Sequence, residues 1–359
     1  MTNDLNSTAA QPPLFRRVWP VLKWVLFVLV IAFVGQRAWK LWRDGDVGSV
    51  TIHWPWLLIA SGLYLVGWLP SVFYWRRLIH GFGGSSSYSD VARAYFSGHL
   101  AKYIPGKASV LIVRAGILAD RGCRPSVSAL TSTYEVLVVM GVGAAVGLTM
   151  APLVWPKTIV EGLPLPIREA FARPLPFGIG VVIVCVALVP FVARVLGLIA
   201  RKLTPPVSLA SGHPVTLADT NRPPGPAPTQ IGSAFLLGWC LLSVTTWLVH
   251  GLSLGCTLRA VGVDANISDW LNWTGAVSSA SFLGFAAMFA PGGLGVREAA
   301  LLELLQAQPG INQSQAVAAT ALLRAAWLAA EITAAIGLSW SVPRQDRPVI
   351  EQTPTSVLK

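Results

Sequence analysis

The stretch FAAMFAPGGLGVREAALLEL, residues 285–304, interrupts a hydrophobic segment with three glycines, a proline, an arginine and a glutamate within eight residues. Proline removes a backbone donor and clashes with the preceding helical turn, while glycine tolerates dihedrals that other residues avoid. A Pro-Gly-Gly step therefore ends one helix and lets another begin. The apolar segment as a whole covers 270–308. Limbs of about 12 residues reach roughly 18 Å at 1.5 Å per residue, too short to cross a bilayer core of about 30 Å. A second segment, 89–118, has the same design and is broken at Pro105 and Gly106. Both are expected to be re-entrant hairpins, whose irregular backbone must be shielded by protein or line a wet cavity.

The rest of the chain supplies the bilayer. Hydrophobic residues make up 53% and charged residues 12%, whereas a soluble domain carries about a quarter charged residues. Mean hydropathy is +0.59. Spans are expected at 19–36, 55–75, 126–152, 174–199, 231–257 and 314–339. The fold class that follows is all-α: a polytopic membrane bundle of about six spanning helices plus the two hairpins. The first apolar run follows Arg16, Arg17 and Lys23 and continues to about Gly35 without a small-x-small cleavage site, so it reads as a retained span. Cys185, Cys240 and Cys256 lie in apolar runs, and Cys123 lies in a basic loop without Cys/His spacing. No disulfide framework, metal or cofactor is expected.

The net charge of +11 comes from basic residues scattered between apolar spans. That pattern suits loops beside an anionic leaflet better than nucleic acid, which is not an expected partner. With a cytoplasmic N-terminus and both hairpins returning to their side of entry, Lys and Arg divide about two to one in favour of the cytoplasm. The expected setting is a bacterial-type inner membrane with both termini cytoplasmic. The chain then divides into a tail (1–18), a first membrane half (19–202), a Pro-rich linker (203–230), a second half (231–340) and a tail (341–359). The two hairpins enter from opposite sides, the expected trace of an inverted repeat with a site near the midplane.

Charge inside a bilayer costs at least about 2.5–3.5 kcal/mol at a helix centre, so each such residue is a candidate for function. Arg297 and Glu298 follow PGGLG in the first turn of a new half-helix, where free N–H groups and the dipole favour an anion. Arg297 adds a fork suited to phosphate. Glu298 has a plainer reading: it complements the dipole or pairs with Arg297 or Arg324. Arg324 and Glu331 are seven residues apart on one helix face, about 10.5 Å, too far to pair, so each needs a partner elsewhere. Glu135 and His250 are further buried candidates. For His250 a satisfied interior histidine is favoured over a proton relay. The first hairpin is basic, with Arg93, Lys102, Lys107 and Arg114 near His99 and Tyr103. Lys102, Lys107 and Arg114 flank its break, where an anionic headgroup would meet charge. Snorkelling suits Arg93 and Lys102 better than Lys107 and Arg114.

No enzyme motif such as HExxH, GxSxG or a P-loop is present. HLAKYIPGKASVLIVRAGIL followed by APGGLGVREAALLELL instead resembles the lysylphosphatidylglycerol synthase transmembrane (flippase-like) family, over roughly residues 55–340. The resemblance implies a helical bundle with re-entrant elements that moves a phospholipid or lipid-linked headgroup between leaflets. It implies functional positions at Pro105, Gly106, Lys107 and Arg114, at Pro291, Gly292, Gly293, Gly295, Arg297 and Glu298, and at Arg324. Many relatives carry an acidic residue between the first Pro-Gly and its arginine, where this chain has KASVLIV. The family's aminoacyltransferase domain has no counterpart, so synthesis of the aminoacylated lipid by this chain alone is not expected.

The expected function is therefore translocation of an anionic lipid headgroup. Lys107, Arg114, Arg297, Glu298 and Arg324 would bind it, and Glu135 and Glu331 would tune charge or couple movement to protons. The chain is expected not to be an enzyme. The alternatives are a membrane-embedded lipid transferase or a non-catalytic partner of a lipid-modifying enzyme. Anionic lipids are the expected partners, and a lipid-modifying enzyme and a homo-oligomer are left open.

Overall fold

A computed structural model of the chain describes residue 36 and residues 50–103, 108–203, 231–287 and 291–341. The expected span 19–36 (apart from Gln36), the N-terminal tail, the break at Pro105, Gly106 and Lys107, the linker beyond Leu203 and the tail beyond Ser341 lie outside the described residues. The described chain is helical, with no strand.

Four helices build the first half: α1 (Trp54–Gly81), α2 (Tyr88–Ala101), α3 (Ala108–Ala119) and α4 (Pro125–Val154). Prolines in the first turns of α1 and α4 fix φ where no intrahelical donor is needed. Ser87 caps α2 by accepting the Asp90 N–H at 3.1 Å. The short helices α5 (Lys157–Glu161) and α6 (Leu165–Phe171) lead into α7 (Pro174–Leu203). The second half comprises α8 (Ser233–Ala260), α9 (Trp270–Ala286), α10 (Val296–Gln306) and α11 (Gln313–Ser341).

The halves repeat one plan. Helix lengths run 28, 14, 12 and 30 residues in the first and 28, 17, 11 and 29 in the second. The His53 N–H donates to the Ala260 carbonyl at 2.9 Å, joining the start of α1 to the end of α8. These equivalent helices are thus antiparallel, and the second half runs opposite to the first. The packing has the same symmetry: α9 lies on the last helix of the first half, α4, and α2 lies on the last helix of the second, α11.

Five of these helices (α1, α4, α7, α8 and α11) are long and apolar enough to cross a membrane. They match the expected spans from 55–75 onward, and the two expected hairpin segments resolve into the pairs α2/α3 and α9/α10. Small residues let the helices approach closely, the usual device where lipid removes the hydrophobic drive between helices. A Cβ at Gly251 would fall 2.9 Å from the Thr274 backbone, and one at Gly255 would fall 2.2 Å from the Trp273 ring. Gly147 meets the Ser279 backbone on the opposite side of α9 in the same way. Ser253 then ties three helices: its hydroxyl accepts from Trp327 Nε1 at 2.9 Å and donates to the Ala60 carbonyl at 2.8 Å. Apolar side chains of α1 and α7, among them Leu58, Ile183 and Phe191, face outward, where lipid would meet them.

Candidate functional site

The second break is a single turn, Pro291–Gly293, in which Gly292 has φ +60° and Gly293 φ +69°. These left-handed values suit glycine, and the surroundings demand it as well. A Cβ at Gly293 would lie 2.9 Å from the Gly284 backbone. One at Gly292 would lie 3.3 Å from the Tyr103 ring and 3.4 Å from the Lys102 carbonyl. The second break is therefore wedged between α9 and the end of α2. Gly295, at φ +87°, turns the chain into α10. Its N–H donates to Glu298 Oε2 at 2.7 Å, so Glu298 closes the first turn of that helix.

Charged side chains gather here from α10, α11 and the end of α2, with a tyrosine of α1 beside them. Glu331 on α11 is 1% exposed. It accepts from the Tyr64 hydroxyl of α1, from Lys102 Nζ at 2.5 Å and from the Tyr103 hydroxyl at 3.2 Å. One turn back on the same face, Trp327 carries the Arg297 guanidinium over its ring, with Cζ 4.4 Å from the centroid. Gly284 makes room for this arginine, since a Cβ there would fall 2.7 Å from Arg297 Cβ. Arg324 lies over Tyr103 at 4.8 Å and places Nε 3.4 Å from Glu298 Oε1. That contact is an ion pair without a hydrogen bond, and Glu298 Oε1 and Arg324 Nη2 are both buried without a hydrogen-bond partner. Among the described residues Arg297 forms no ion pair.

A second cluster lies in the first half. Arg114 (1% exposed) donates to Glu135 (2% exposed) at 2.8 Å. The Tyr95 hydroxyl donates to the other carboxylate oxygen at 2.9 Å. The guanidinium is covered by Tyr95 at 4.3 Å and Trp75 at 4.7 Å, and Gly98 leaves space for its stem. In the inverted plan this pair is the counterpart of Glu298–Arg324, with the charges exchanged: α3 offers the arginine and α4 the glutamate, while α10 offers the glutamate and α11 the arginine. Tyr64, His250, Trp68, His99 and Tyr95 form a file of rings between the two clusters, with neighbouring centroids 4.7–5.2 Å apart. His250 is fully buried, with Nε2 3.4 Å from the Tyr64 carbonyl and Nδ1 without a hydrogen-bond partner.

Of the residues singled out in the sequence, the structure thus brings Arg297, Glu298, Arg324 and Glu331 together around Gly292, Gly293 and Gly295. Arg114 does not face them across the site: it is sealed against Glu135 because a buried guanidinium needs a carboxylate, and the nearest one is on the next helix. Pro105, Gly106 and Lys107 lie outside the described residues, as does the Pro291 side chain. Arg324 and Glu331 each have the separate partner that their spacing demanded. Lys102, for which snorkelling was the plainer expectation, instead reaches inward to Glu331, and Tyr103, noted as a neighbour of the first break, is a second direct partner of that carboxylate. Tyr64 and Trp327 went unnoticed, since an aromatic ring in an apolar helix is ordinary and only the fold shows what it faces. Among the described residues the assembled group presents one guanidinium without an ion pair and one with an unspent donor, which is equipment suited to an oxyanion.

No curated protein matches this chain. A family model does, the lysylphosphatidylglycerol synthase TM region, over residues 20–334. That match covers both helix pairs, both clusters and every described span except the last seven residues of α11, and the chain belongs to the lysylphosphatidylglycerol synthase TM region family.

Proposed function

We propose that this protein moves an anionic lipid headgroup between the leaflets of a bacterial-type inner membrane, with the cluster at the two broken helix pairs as its site. The observation that carries the reading is Arg297, held over Trp327 without a carboxylate partner among the described residues. A cation kept at depth in a membrane protein without its own counter-ion has a ligand as its natural counter-ion. Arg324 Nη2, buried and unpartnered, offers a second donor. In this reading the two helix pairs are re-entrant, and the second break, seated against the end of α2, divides the route between leaflets. Glu331 and Glu135 hold the flanking cations in place. No catalytic role is assigned to any residue.

The test is leaflet exchange of tail-labelled phosphatidylglycerol in proteoliposomes, comparing the native protein with Arg297→Gln. The expected outcome is exchange by the native protein and a loss of at least tenfold in a variant that purifies as a folded species. Equal exchange by both would remove Arg297 from the route. Absence of exchange by the native protein would overturn the translocation reading for that lipid. The family is named for a lipid-modifying enzyme, which favours a role beside such an enzyme as the second reading. Exchange that requires an added partner enzyme would select it.

A further inference from the structure

The last turns of α1 and the first turn of α2 carry a group of side chains that the proposed lipid route does not use. At 28 residues and 1.5 Å per residue, α1 runs about 42 Å, enough to cross the hydrocarbon core and both headgroup layers. Arg77 stands 13 residues beyond Tyr64 on this helix, about 20 Å along its axis. It therefore lies at the headgroup level, well away from the Glu331 cluster. Ile59, Val66, Leu69 and Phe73 are exposed, and their helical spacing sets them on one stripe that ends at Arg77.

Two arginines are held in place at the end of that stripe. The Arg76 Nε–H donates to the Ser86 carbonyl at 2.9 Å, and its guanidinium lies over Tyr88 with Cζ 4.0 Å from the centroid. His80 Nε2 lies 3.0 Å from the same carbonyl, so two side chains fix the turn between α1 and α2. Tyr88 stacks on Phe73, with ring planes 9° apart and centroids 6.3 Å apart. Arg77 is exposed and lies over Phe73 at 5.7 Å. Among the described residues neither arginine forms an ion pair. The one carboxylate between residues 71 and 90 is Asp90, and it is turned to Arg121 at 3.1 Å and to the Ser87 hydroxyl at 2.7 Å.

A ligand that suits this place brings negative charge to the arginines and hydrocarbon to the stripe. A guanidinium fork matches a phosphate, and anionic lipid draws basic side chains to the leaflet. Below Arg77 the stripe continues through Phe73 and Leu69 to Val66, 11 residues away. That is about 16 Å, the depth of one leaflet. A free phosphate would use the arginines and leave the stripe idle. We propose that the end of α1 is a surface site for an anionic phospholipid, its headgroup held by Arg77 and flanked by Arg76, its acyl chains along Phe73, Leu69 and Val66.

Native mass spectrometry of the full chain, purified in a neutral detergent, tests this with phosphatidylglycerol and phosphatidylcholine of identical acyl chains. The measurement is made with Arg297 and with Arg297→Gln, so that binding at the other cluster is counted apart. In both backgrounds, Arg76→Gln combined with Arg77→Gln is expected to weaken phosphatidylglycerol binding at least about fivefold and to leave phosphatidylcholine binding unchanged. Arg76→Lys with Arg77→Lys keeps the charge, loses the forks, and is expected to lose at least half of the preference for phosphatidylglycerol. Should the glutamine variant not purify folded, Phe73→Leu carries the same test, because it keeps the stripe apolar and removes the ring under Arg77. Unchanged phosphatidylglycerol binding in these variants would overturn the proposal. A loss seen only when Arg297 is present would assign the effect to the other cluster and overturn it too. Lysine variants equal to the native chain would replace the built site with general attraction to a charged leaflet. Equal binding of glycerophosphoglycerol, the headgroup without chains, would overturn the lipid assignment in favour of a free phosphate ester.

Discussion

Arg114 and Glu135 illustrate how far a single residue can be read from the chain. A charged side chain in an apolar run announces that it needs a partner, and both residues were legible as candidates on that ground. What they face was not legible, because the partner is chosen by helix packing between positions 21 residues apart. A sealed pair of this kind behaves in a defined way. Removing one member leaves an unpaired buried charge and costs about 3–5 kcal/mol, whereas replacing both with apolar groups of similar volume is often neutral. Arg114→Met and Glu135→Leu are each expected to lower the melting temperature of the purified protein sharply, and the double variant is expected to recover most of the loss. A double variant no more stable than the worse single would show that the pair does more than satisfy itself. Tyr64 lies at the other extreme of legibility. Nothing in its neighbourhood of leucines and glycines marks a hydroxyl aimed at Glu331, since the acceptor is 267 residues away.

At the scale of elements, the breaks were the most readable features of the chain. Pro-Gly-Gly at 291–293 stops a helix whatever surrounds it, and the structure ends α9 at Ala286 and starts α10 at Val296. Proximity of the second break to the end of α2 was not readable, because it follows from α2 lying on α11 and α9 on α4. Gly293 carries both kinds of information. Its φ of +69° is one an L side chain adopts at a cost of about 1–2 kcal/mol, and its Cα lies against the Gly284 backbone, which cannot move aside as a side chain would. Gly262, at φ +77°, has nothing within 4 Å of where a Cβ would sit. Gly262→Ala is therefore expected to cost only the backbone term. Gly293→Ala should cost about 1–3 kcal/mol more, as overpacking does, and should also displace Arg297 by pushing α10 from α9. Melting temperatures of the two variants side by side separate these contributions. Similar losses in both would mean that the break has room to relax.

For the whole molecule, the inverted plan was legible from the two broken segments and the parity of spans, while the matching helix lengths and the exchanged Arg/Glu pairs needed the fold. The plan makes a prediction about sidedness. If each long helix crosses once and each helix pair returns, as proposed, the end of α1, the start of α4 and the end of α7 lie at one face, and α5, α6 and the start of α9 lie at the other. The antiparallel contact of Tyr134 near the start of α4 with Leu196 near the end of α7, at 2.7 Å, holds this parity in the first half. Single cysteines at Ser85, Thr158 and Ser268, all exposed positions, report the two faces in a background without the native thiols. Among those native thiols, Cys123 is buried, and burial pushes its thiol above the ordinary range. It is therefore slow to form the reactive thiolate, and restoring it should add little signal. A membrane-impermeant maleimide added to intact spheroplasts is expected to label Thr158→Cys and Ser268→Cys and to reach Ser85→Cys only after permeabilisation. Labelling of Ser85→Cys and Thr158→Cys from the same side would mean that α2/α3 crosses or that α4 does not, and the proposed topology would fall with it. Opposite sides in the reversed sense would keep the inverted plan and turn the whole protein over in its membrane.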